Sequence, residues 1–167
     1  MRRQINSDEL NYLYTKLGQA VWHLQYVEDA LVPLILIKGV AKKINSIERN
    51  VALDHEGKLR KLTLGKLIGK AQELDALNET LLNRLRNFNN ERKWLVHNSI
   101  FESGNDLYTF DGRNQLFQRI ECFIVEAQLL HKYIGEDIIE YSVGLGIPRE
   151  KIYGIATNKI KKLKGEV

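Results

Sequence analysis

The hexapeptide Arg92-Lys93-Trp94-Leu95-Val96-His97 holds the residue types best suited to work on a phosphate ester. Arginine offers a planar fork of donors that matches phosphate oxygens, and histidine exchanges protons near neutral pH. RNA can be cut without a metal when one group deprotonates the 2′-hydroxyl and another protonates the leaving 5′-oxygen. A cation must also steady the crowded phosphorane between those steps. One His97 does not readily serve as base and acid at once. Two copies across a twofold axis can, so a symmetric dimer is the natural active unit.

The placement of Arg92 sharpens this reading. Leu81, Leu85, Phe88, Arg92, Leu95 and Ser99 follow one another in steps of four, three, four, three and four, which trace one face of a helix. A guanidinium therefore stands where the pattern asks for a leucine. A buried charge without a partner costs several kcal/mol, so Arg92 needs an anion from the protein, a subunit interface or a ligand. His97 lies five residues on, about 140° around an ideal helix, so the two share a phosphate only through long side chains or local unwinding.

The elements that must position this pair read as helices. A first helix is expected from Ser7, with Asp8 and Glu9 in its first turn and a stripe of Leu10, Leu13, Leu17, Val21, Leu24, Glu28 and Leu31. Pro33 should end or kink it. From Ala41 to Arg60 the pattern weakens, which suits a helix end plus a loop, or an insertion. Thr63 caps a short helix over Leu64 to Leu74 with Gly65 and Gly69 four apart, and the Arg92 helix runs from about Asn78 to His97. The alternating residues of NSIFESGNDLYTFDG around a Gly-Asn-Asp turn suit a short β-hairpin. A long helix follows from about Asn114 to Tyr141, and a basic helix closes the chain over 149–164. These elements make one all-α domain over 1–167, a bundle of five to six helices with the hairpin after the motif helix.

At this point the sequence resembles the HEPN domains (higher eukaryotes and prokaryotes nucleotide-binding). Their signature is an arginine, four to six arbitrary residues and a histidine late in a helix of an all-α bundle, here Arg92 to His97 within NNERKWLVHNS. The LTLGKLIGKA helix and the early helix containing Glu28 are similar to that layout, and the resemblance spans roughly Ser7 to Tyr141. It implies a metal-independent endoribonuclease whose paired domains form a composite cleft, with Arg92 and His97 catalytic. Some members pair with a nucleotidyltransferase antitoxin. Two positions depart from the pattern. Lys93 stands where many catalytic members carry asparagine, and Asn89, Asn90 or Asn98 are the candidates to supply that amide. Ser99 stands where one toxin subgroup carries a tyrosine that its antitoxin modifies. Lys93, Asn89, Asn98 and Glu28 are the supporting candidates around the pair.

Composition sets the boundaries. The 167 residues are 44% hydrophobic and 28% charged, typical of a globular chain. Cys122 is the lone cysteine, so no internal disulfide can form, and its apolar neighbours suggest a buried thiol. The N-terminal MRRQINSDEL has no apolar stretch, and the run Ala30 to Ile37 is too short to span a bilayer, so a cytoplasmic protein without membrane contact is expected. Asp54-His55-Glu56 lacks a second histidine at metal spacing, and no glycine loop for a nucleotide cofactor is present. No metal or cofactor is expected. The net charge is +4, and the segment from Arg149 to Lys164 holds six basic residues against Glu150. Lys159, Lys161, Lys162 and Lys164 form a patch that could attract a polyanion, or simply a solvated helix end. Three functions stay open: a homodimeric endoribonuclease, a non-catalytic HEPN-like module that dimerises or docks, and a basic nucleic-acid-binding protein.

Overall fold

The computed structural model describes residues 2–43 and 46–166. Six helices account for the architecture among them, with no strand beyond a single bridge between Arg2 and Thr109. α1 spans Ser7–Leu34 and continues as a π-helical segment, Ile35–Ala41. α2 spans Arg49–Leu59, α3 Leu64–Glu73 and α4 Glu79–Lys93. α5 spans Phe110–Gly144 and α6 Arg149–Leu163. The two long helices, α1 and α5, pack along each other and form the spine. α3 and α4 cover one side of that spine.

Capping fixes several helix ends. Asn6, rather than Ser7, is the N-cap of α1: its side chain accepts from the Glu9 amide, and the Glu9 carboxylate accepts from the Asn6 amide. Asn78 accepts from the Leu81 amide at 2.8 Å to start α4, and Thr109 accepts from Gly112 at 3.1 Å to start α5. Thr63 precedes α3 but makes no side-chain cap. Glu28 of α1 does that work, accepting from the Leu64 amide at 3.0 Å. Pro33 does not end the first helix. The chain widens into π geometry just after it, and Lys42 closes the turn at φ 56° with its amide on the Ile37 carbonyl.

Three expectations need correction. The polar stretch after Ala41 contains a regular helix, α2, although its Ile44 and Asn45 lie outside the described residues. Ion pairs four residues apart, Asp54 with Lys58 and Glu56 with Arg60, hold α2, and Arg60 also pairs with Asp29 of α1. Its stability does not show in apolar periodicity. The segment after the motif is not a hairpin: Ser99–Ser103 is a further α-turn and Gly104–Tyr108 a 3-10 turn. Five-residue strands with no third strand to pair are marginal, and the helix simply runs on until Thr109 restarts it. Cys122 is exposed, because Ile120, Phe123 and Ile124 take the buried face of α5 and turn position 122 outward.

Ser7–Ala41 forms one continuous helix of 35 residues whose most apolar window has a mean hydropathy of 1.3, long and apolar enough to cross a membrane on those two measures. The run Ala30 to Ile37 thus understates this helix. Its buried side chains, Leu13, Ala20, Leu24, Val27 and Leu31 among them, belong to the bundle core, as in any central helix of a globular domain.

Candidate functional site

Around Arg92 the stripe anticipated from spacing is the buried face of α4: Leu81, Leu85, Phe88 and Leu95 are all under 10% exposed. Phe88 stacks on Phe123 of α5 with ring centroids 4.5 Å apart, which locks this face to the spine. Arg92 is half-buried in the same row. Its Nε is out of reach of solvent and has no hydrogen-bond partner, and no carboxylate lies within 4.0 Å of it among the described residues.

Glu91, the neighbour of Arg92 in sequence, and Glu28 of α1 are both engaged elsewhere. Glu91 receives a two-pronged pair from Arg119 of α5, at 2.9 and 3.1 Å. Arg119 in turn lies flat on the Trp94 ring at 3.6 Å. Glu28 is held on the α3 N-terminus and does not reach Arg92. The cation in the leucine slot is thereby left uncompensated. Asn89 Oδ1, Arg92 Nε and Trp94 Nε1, within six residues of α4 and its continuation, are buried without a hydrogen-bond partner among the described residues. Orphaned buried polar atoms are rare in folded proteins.

His97 sits in a π-helical turn, Trp94–Asn98. Such a turn takes more residues per revolution than an α-helix, so it reduces the 140° offset expected between Arg92 and His97. The sequence held no sign of this turn beyond the need for local unwinding. His97 is exposed and so are Lys93 and Asn98. Asn89 is half-buried against Gly65 of α3, where a Cβ would come within 3.2 Å of the Asn89 amide nitrogen. Asn89 and Lys93 line one groove between α3 and α4, while Glu28 serves α3 instead.

The chain beyond the motif is anchored and yet displays apolar side chains. Arg113, 2% exposed, donates to the Leu107 carbonyl at 3.0 Å and pairs with Glu9 at 3.1 Å. Gly112 allows the close approach, since a Cβ there would meet the Asp106 carbonyl at 2.6 Å. Above this anchor Ile100 is 87% and Phe101 92% exposed, and Val96 beside His97 is 46% exposed. Isolated exposed apolar residues are common, but two nearly naked large ones beside a histidine form a patch.

The other candidates lie apart. α6, with Lys159, Lys161, Lys162 and Lys164, has no buried residue. Asp54 and Glu56 are occupied by Lys58 and Arg60, and among the described residues no three His, Cys, Asp or Glu side chains converge. His23 meets Gln128 at 3.2 Å, and His131 packs near Tyr26. No family model matches the sequence, and neither a curated protein nor a solved structure shows significant similarity to the chain.

Proposed function

We propose that this protein is a HEPN-type, metal-independent endoribonuclease working as a homodimer in the cytoplasm. The carrying observation is Arg92: a cation among leucines, with its Nε buried and unpartnered and no ion pair of its own among the described residues. A phosphodiester oxygen is the kind of anion that completes such a donor. The π-turn that carries His97 supports the pairing, since π-turns gather at functional positions.

In this reading His97 of one copy removes the proton from the 2′-hydroxyl, whose oxygen attacks the adjacent phosphorus. The bond to the 5′-oxygen breaks, and that oxygen takes a proton from the second copy's imidazolium. Arg92 stabilises the negative charge that builds on the non-bridging oxygens. Lys93 and Asn98 hold the flanking backbone. The exposed Val96, Ile100 and Phe101 supply the apolar contact through which the second copy brings its own histidine close.

A non-catalytic assembly module is the second reading, favoured by Lys93 in place of asparagine and by the same apolar patch. A nucleotidyltransferase antitoxin of the tyrosine-modifying kind has no target here, because position 99 is a serine whose hydroxyl donates to the Leu95 carbonyl at 2.9 Å. The test is incubation of purified protein with mixed RNA in excess chelator. Cleavage by the wild type that disappears in His97→Ala supports the nuclease. No cleavage, or equal cleavage by both proteins, leaves the assembly module.

A further inference from the structure

We infer that the open groove between α3 and α4 is a backbone-binding track for a single RNA strand, leading toward the Arg92–His97 pair. The inference deepens the nuclease reading, on which it rests for the identity of the strand. The groove encloses about 410 Å³, and its α4 wall is formed by Arg86, Asn89, Asn90 and Lys93. Those residues are spaced at three and four, and a further step of four from Lys93 reaches His97. One helix face thus runs from the groove to the histidine.

The chemistry of the walls points to phosphate. No carboxylate lines this groove, although acidic residues are common elsewhere on the surface. Arg86 bonds only neutral partners, Gln72 Oε1 at 2.9 Å and Asn83 Oδ1 at 3.4 Å, so its charge is uncompensated. Lys93 has no ion-pair partner among the described residues and is exposed. Gln72, Asn89 and Asn90 add side-chain amides to the lining. The α3 wall is opened by Gly65 and Gly69, and a Cβ at Gly69 would meet nothing within 4 Å. Two uncompensated cations, several amides and no apolar lid suit a sugar-phosphate backbone rather than a base or an apolar peptide.

A 2′-O-methyl RNA oligonucleotide, which cannot be cleaved by attack of its own 2′-oxygen, separates binding from chemistry. Gly69→Glu places a negative charge in the groove at a position with room for it, and leaves Arg92 and His97 as they are. Gly69→Gln controls for bulk, and thermal melting verifies that each variant folds. Gly69→Glu should raise Kd about tenfold and Gly69→Gln should raise it far less, while Arg86→Ala should lower the slope of log K against log salt by about 0.7, one phosphate contact on a single strand. Wild type that fails to bind, or Gly69→Glu and Arg86→Ala variants within about twofold of wild type at unchanged slope, would overturn the track. If RNA is not cleaved but these variants weaken binding, the track stands without the nuclease. If cleavage depends on His97 while the variants bind like wild type, the nuclease stands without the track.

Discussion

Arg119 grips both carboxylate oxygens of Glu91, at 2.9 and 3.1 Å, and so removes from Arg92 the anion beside it in sequence. The pairing crosses from α4 to α5 and carries Arg119 onto the Trp94 ring, so it is built into the packing of the bundle. Arg92 is left as the cation that the fold tolerates without neutralising. A residue kept in that state weakens the protein unless something outside the chain completes it.

Arg92→Leu should therefore stabilise the protein while abolishing RNA cleavage. Leucine restores the apolar stripe and removes an orphaned donor, which should raise the unfolding free energy by about 1 kcal/mol. Urea denaturation reads the change. A loss of several kcal/mol would instead reveal Arg92 as one half of an internal ion pair.

Glu28→Ala should cost about 1 kcal/mol by exposing the α3 N-terminus, the usual magnitude for a lost cap. Glu28→Gln keeps an oxygen able to accept from Leu64 and should cost less. Melting temperatures that fall equally in both variants would contradict the capping role.

Acid should weaken the fold through Glu9. The Arg3 guanidinium bonded to its carboxylate, followed by the Asn6 amide and the charge of Arg113, holds its pKa at about 2 against an ordinary 4.5. A lowered folded-state value means that the ionised form stabilises the fold at neutral pH and that this contribution disappears as pH falls from 4.5 toward 2. Glu9→Gln should flatten the loss of melting temperature over that window. An unchanged acid limb in Glu9→Gln would assign the loss elsewhere.

Ile100→Asp combined with Phe101→Asp should convert a dimer to a monomer in sedimentation and remove cleavage with it, while leaving the melting temperature of the monomeric bundle little changed. Both side chains are almost fully exposed, so their loss opens no cavity. Wild type that sediments as a monomer at all concentrations would contradict the composite site.

Much of this arrangement is legible in the chain. The stripe from Leu81 to Leu95 and the intrusion of Arg92 follow from spacing alone, because α4 packs one face on α5 with ordinary helical periodicity. α2 escaped notice because Leu59 is its one buried residue, too few for an apolar stripe, and its other regular feature is a run of charge pairs four residues apart. The hairpin expected after the motif failed because the adjacent Ile100 and Phe101 form no buried strand face and both point to solvent on a helical turn. The π-turn at Trp94–Asn98 and the Glu91–Arg119 pair depend on contacts between distant segments, and no local pattern encodes them.

The most direct test is the chemistry of the ends made from an RNA with one cleavage site, cut in excess chelator. A 2′,3′-cyclic phosphate facing a 5′-hydroxyl, formed by wild type and not by His97→Ala, is the predicted result. A 3′-hydroxyl facing a 5′-phosphate, or the same products at the same rate from His97→Ala, would contradict the account.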